Sequence, residues 1–209
     1  MKIGLFFIVV LMSLNLAVTQ PYGYIADQAT APGFAAREEI GSGGYAYRLG
    51  GGALTVTDSN GLELWRSDAK WLVQDFRLGD VDGDGVQDFL FSLWKPEKSV
   101  SKGPETAGAN GGTLRCHLYL YTIINGYVKP VWCASALPRP ILDFELDKSG
   151  RATPINSGML LHTIEGRYDD YSVVIKDGVY YVPAADSIDS RKMSARTYAW
   201  GSWGFAPVD

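Results

Sequence analysis

The stretch LVQDFRL (Leu72–Leu78), Gly79, DVDGDGVQ (80–87), DFLFSLW (Asp88–Trp94) decides how this chain is read. Asp80, Asp82, Asp84 and Asp88 crowd four carboxylates into it, with Gly83 and Gly85 between them. Like charges about 4–6 Å apart repel by roughly a kcal/mol or more each, even when screened, so the loop calls for a cation. Ca²⁺ suits it, because that ion takes several oxygen ligands in flexible geometry. Asp80, Asp82 and Asp84 fall at loop positions 1, 3 and 5, Val86 would offer its backbone carbonyl at position 7, and Asp88 closes the site at position 9. Gly85 stands at position 6, where the turn favours a residue without Cβ. An EF-hand would need a Glu at position 12, where Phe91 stands, and a helix on either side. Both flanks are instead rich in Val, Phe, Leu and Trp, which favour strands. The unit reads as strand, calcium loop, strand; the plain alternative is a solvated acidic turn.

The chain opens with Met1-Lys2 and a nearly unbroken apolar run, Ile3–Val18, followed by small residues around Ala17-Val18-Thr19. This is the layout of a secretory signal peptide over residues 1–19. The run is short for a span of about 20 residues, with an uncleaved membrane anchor as the alternative. Export to the cell envelope or outside fits the metal, since extracellular calcium modules bind at about 10⁻⁴–10⁻³ M. Losing the segment removes Lys2 from a chain of net charge −4. That acidity argues against nucleic acid or an anionic membrane surface as partner.

Residues 20–44 read as an irregular N-terminal arm and residues 45–209 as one all-β domain. Short apolar runs flank Asp58-Ser59-Asn60-Gly61, Asn125-Gly126 and Asp177-Gly178, each predicting a β-hairpin. A fourth hairpin is expected within Thr197–Phe205, around Gly201-Ser202. Residues 97–113, rich in Gly, Ser, Thr and Ala, read as an exposed mobile loop. There is also an internal repeat. Leu64-Trp65-Arg66-Ser67 leads to Asp75-Phe76-Arg77-Leu78, the acidic loop and Phe89–Trp94. Val131-Trp132-Cys133-Ala134-Ser135 leads to Asp143-Phe144-Glu145-Leu146, a turn and Met159–Ile164. In the second copy the loop is reduced to Asp147-Lys148-Ser149-Gly150-Arg151, which should hold no calcium. Such self-similarity predicts a propeller-like array of small antiparallel blades, few enough for the ring to be small or incomplete, with a β-sandwich as the alternative.

Cys116 and Cys133 flank the Asn125-Gly126 hairpin and are a candidate disulfide in an exported chain; the alternative is two small buried hydrophobes. Trp65, Trp94, Trp132, Trp200 and Trp203 lie in strand-like runs and are expected in the core, which leaves Trp71 as the candidate ligand contact. His162, in an apolar strand, reads as a satisfied buried histidine. Cys116 and His117 should face opposite ways, as neighbours on a strand do.

The run Phe76–Leu90 resembles the metal-loop-and-strand motif of the FG-GAP/VCBS family of extracellular β-propeller repeats, best known from integrin α-chains. A looser similarity to exported bacterial proteins runs through Phe91-Ser92-Leu93-Trp94-Lys95, His117-Leu118-Tyr119-Leu120-Tyr121 and the closing Trp203-Gly204-Phe205. The resemblance implies a Ca²⁺-stabilised, non-catalytic binding or adhesion module with a protein or glycan ligand outside the cytoplasm. One alternative is an enzyme acting on a polysaccharide or cell-wall polymer, for which Glu145, Glu165, Asp169 and Asp170 are the candidate acids and bases. The other is an accessory subunit of an envelope complex.

Overall fold

The computed structural model describes residues 36–96, 114–147, 158–170, 174–176, 179–181 and 189–208. The expected signal peptide, the 97–113 loop and the Lys148–Arg151 turn lie outside the described residues. Fourteen strands appear among the described residues, and twelve of them form three four-stranded antiparallel sheets. The first sheet contains β1 (Arg37–Ile40), β2 (Ala46–Gly50), β3 (Ala53–Thr57) and β4 (Glu63–Arg66) in that order. The second contains β5 (Leu72–Gly79), β6 (Asp88–Pro96), β7 (Leu114–Ile124) and β8 (Tyr127–Cys133) in order. The third runs β9 (Ile141–Asp147), β10 (Leu160–Glu165), β13 (Ser194–Gly201), β14 (Gly204–Pro207), while β11 (Val174–Lys176) and β12 (Val179–Tyr181) pair as a separate hairpin. None of the sheets closes on itself.

Sequence pattern explains the layering. A sheet covered on both faces needs continuous apolar strands, whereas one covered on a single face needs alternation. The runs FLFSLW and HLYLYT on β6 and β7 are buried almost throughout. Phe89, Phe91, Leu93, Tyr119 and Tyr121 point into a core shared with Tyr47, Leu54 and Val56 of the first sheet. Leu90, Trp94, Cys116, Leu118 and Leu120 point the other way, into a core shared with Leu142, Phe144 and Leu161 of the third. The second sheet is therefore the middle layer of the stack. β2 and β3 alternate instead, with Leu54 and Val56 inward and Thr55 and Thr57 outward.

The two D-F-x-L copies lie on β5 and β9, the first strands of the second and third sheets. Each Asp accepts a hydrogen bond from the backbone N–H that follows it, Phe76 for Asp75 and Phe144 for Asp143, both at 2.8 Å. Each Phe lies beneath an arginine from the first strand of the preceding sheet. The Arg37 guanidinium is 4.9 Å from the Phe76 ring centre, and that of Arg77 is 5.0 Å from Phe144. Arg37 also bonds Asp75 at 3.2 Å, and Arg77 reaches Asp143 at 3.4 Å while pairing with Asp75. The same inter-sheet contact is thus made twice, each worth about 0.5–2 kcal/mol by stacking. A bulge in β5 turns Gln74 toward the third sheet, where its amide donates to the Leu142 carbonyl and its oxygen accepts from the Trp94 indole.

The hairpins at Asp58–Gly61 and Asn125-Gly126 stand where the turn residues put them, and β11 pairs with β12 on either side of the third expected turn, whose residues 177 and 178 lie outside the described residues. Asn125 and Gly126 both have positive φ, 53° and 78°, as a two-residue hairpin turn requires. Several expectations are corrected. Arg37–Ile40, within the supposed irregular arm, is the outer strand β1. The last hairpin turns at Ser202-Trp203 instead of Gly201-Ser202, which leaves Trp203 at the tip, 93% exposed and outside the core. Cys116 and Cys133 are free thiols. A bulge in β8 pairs Cys133 with Tyr119, three residues from Cys116, so the two sulfurs leave opposite faces of the sheet. Cys116 is buried toward the third sheet and Cys133 is exposed. His162 is only half-buried and bonds Thr197 across the strand at 3.0 Å.

Candidate metal centre

Antiparallel pairing of Gly79 with Asp88 closes the neck of the acidic loop. Within it the carboxylates cap their own backbone. Asp80 accepts from the N–H groups of Gly83 (2.9 Å) and Gly85 (3.1 Å), and Asp82 accepts from Asp84 (3.2 Å). Asp88 reaches back across the neck to the Val81 N–H at 3.1 Å. Gly83 and Gly85 take φ of 80° and 87°, which a residue with Cβ adopts only with strain. The turn therefore folds the chain so that one carboxylate oxygen each from Asp80, Asp82 and Asp88 lies within 4.8 Å of the others. Three negative charges at that separation repel by about 3 kcal/mol per pair at an effective dielectric near 20. A metal ion bound among them would relieve that repulsion, and the triad has the geometry to hold one. Asp84 stands outside the cluster, exposed, with its carboxylate accepting from the Val86 N–H at 2.7 Å. Val86 is likewise exposed.

The three ligand candidates differ in setting. Asp80 and Asp82 are half-buried, and Asp88 is buried against β7. Burial pushes the Asp88 carboxyl from its ordinary 3.8 up to about 7. The charges of Asp82 and Asp84 add to the rise, while the Val81 amide and the Thr122 side chain oppose it. Asp82 is also raised, by burial first and then by its acidic neighbours. In both, the ionised form is disfavoured, and a cation would offset that cost.

The loop touches all three sheets. Val81 is fully buried in the core between the second and third. Its carbonyl packs so tightly on Gly158, just before β10, that any Cβ there would overlap it. Gly79 lies against Met159 in the same way. On the other side, Gln87 accepts a hydrogen bond from the Ser42 N–H at 2.6 Å, at the turn between β1 and β2.

The remaining candidates do not converge. Trp71 is half-buried, edge-on to Tyr119 with ring centres 5.2 Å apart, and roofs the aromatic core. Glu145 lies exposed on the outer face of the third sheet, Asp169 is exposed beside Arg167, and Asp170 pairs with Lys192. Only Glu165 is buried, facing inward where Tyr198 and Thr163 donate to it and Arg139 and Arg196 approach it. That cluster is scattered over three segments of sequence and carries no local motif, so sequence spacing gave no signal for it. Among the described residues no helix is long and apolar enough to cross a membrane. No family model, curated protein or solved structure matches this chain.

Proposed function

We propose that the protein is an extracytoplasmic, calcium-stabilised binding or adhesion module of the FG-GAP/VCBS type, without catalytic activity of its own. The observation that carries this reading is the Asp80–Asp82–Asp88 triad, on a loop that contacts all three sheets. A metal bound there would act as a clamp between layers. Calcium fits the donor set best, because the ligands are all oxygens on a glycine-rich turn that can adapt to a large, irregular coordination shell. The order of strands also supports a propeller-like plan, in which each sheet begins on the strand nearest its neighbours and ends on its outer edge. The dispersal of Glu145, Asp169, Asp170 and Glu165 favours binding over polymer hydrolysis.

Thermal melts of the purified chain test the metal. An ion that binds only the native state stabilises it by RT ln(1 + [L]/Kd), about 1–3 kcal/mol at a few to a hundred times Kd. We expect Ca²⁺ to raise the midpoint over chelator in the wild type and to leave Asp82→Ala almost unmoved. Identical melts with Ca²⁺ and chelator in the wild type would remove calcium from the proposal.

A further inference from the structure

A second site lies between the second and third sheets and shares no residue with the acidic loop. It is a cavity of about 420 Å³, within the size range of small-molecule sites. Its walls include Trp132 and Phe205, packed edge to face with ring centres 5.7 Å apart, together with Leu118 and Leu161. Glu165 lines it with a carboxylate that is 6% exposed as a residue. One oxygen, Oε1, accepts from the Tyr198 hydroxyl at 2.5 Å and from Thr163 at 3.3 Å. The other, Oε2, takes no hydrogen bond from the described residues. It has only ion contacts, to Arg196 at 3.5 Å and Arg139 at 4.0 Å. Arg139 donates through Nε to the Gly166 carbonyl, and its two terminal nitrogens donate to none of the described residues. Among the described residues, an oxygen of the buried Glu165 and the outer nitrogens of the part-exposed Arg139 thus have no hydrogen-bond partner beside an aromatic-walled cavity. A carboxylate held in a buried residue without a full set of donors costs free energy that a ligand can recover.

We propose that this cavity binds a saccharide residue. The ligand must donate to Glu165 Oε2 and accept from Arg139, and a hydroxyl does both. It must also present an apolar C–H face to Trp132 and Phe205, as a pyranose ring does. Two guanidiniums against one carboxylate leave the site net positive, which disfavours an ammonium and tolerates a sugar carboxylate. A fatty acid would satisfy Arg139 and leave Glu165 without a donor. The assignment goes beyond the calcium reading and is independent of it.

Binding to the full chain is measured by saturation-transfer NMR in titrations of glucose, glucuronic acid, hexanoate and hexylamine. Both sugars should bind saturably, and hexanoate and hexylamine should not. Arg139→Gln should weaken sugar binding by about tenfold or more. Ser135→Trp, at an exposed lining position away from the Glu165 network, should abolish binding without unfolding the chain. The proposal is overturned if neither sugar binds saturably, if hexylamine or hexanoate binds as well as the sugars, or if both variants keep wild-type affinity. Running every titration with Ca²⁺ and with chelator keeps a failure here separate from a failure of the metal site, which the melts decide.

Discussion

Asp88 has the least ordinary environment of the four loop carboxylates. It is buried, opposed by two acidic neighbours, and tied to the Val81 amide. Its pKa, raised from 3.8 to about 7, has a definite sign for stability. Between those values the native chain holds a proton that the unfolded chain has released, so metal-free stability falls as pH rises through the window and levels off above it. Ca²⁺ competes with that proton, so its affinity should strengthen as pH rises through about 7. Asp88→Asn keeps an acceptor for Val81 and removes the charge. It should flatten the pH dependence of the urea midpoint in chelator and lose the 1–3 kcal/mol expected from saturating Ca²⁺. A variant that still responds to Ca²⁺ as the wild type does would take Asp88 out of the ligand set. The four aspartates look equivalent in the sequence. Burial and hydrogen bonding separate them, and local spacing does not encode either.

At the scale of the element, the β5–β6 hairpin was legible because its two signals coincide: strand-forming flanks and a glycine-rich acidic turn. Its register was not. The bulge that aims Gln74 at Leu142 leaves no mark in the residue pattern, and neither does the one in β8 that parts Cys133 from Cys116. The third sheet meets the loop backbone most tightly where Gly158 lies against the Val81 carbonyl. Gly158→Ala should force the two apart, costing about 1–3 kcal/mol as an overpacked contact does. Because the shift would fall on the loop backbone, the variant should also bind Ca²⁺ more weakly. Chemical denaturation with and without the ion measures both effects, and unchanged stability would show that the junction yields freely.

At the scale of the molecule, the layers are joined by a repeated contact that stops at both ends. Arg37 meets Asp75 and Phe76, and Arg77 meets Asp143 and Phe144. The next arginine in that series would stand at residue 145, but Glu145 occupies the place; the Asp-Phe pair that would precede Arg37 is Ala35-Ala36. The outward face of the first sheet is polar as well, with Arg48 paired to Glu38. The stack therefore lacks the chemistry to add another sheet by the same contact at either end. We expect a monomer by light scattering across a wide concentration range. A stable dimer would mean that copies join by some other surface.

The sequence alone determined the all-β class, the hairpin turns at Asp58–Gly61 and Asn125-Gly126, the two D-F-x-L motifs and the acidic loop. Each of these depends on residues within a few positions of one another, where backbone preference and side-chain alternation act directly. Only the tertiary structure decided which sheet is buried on both faces, which aspartates converge, that the two thiols stay apart and that Glu165 meets Arg139, Arg196 and Tyr198. Those outcomes depend on how distant strands pack, and packing distances are not written in local spacing.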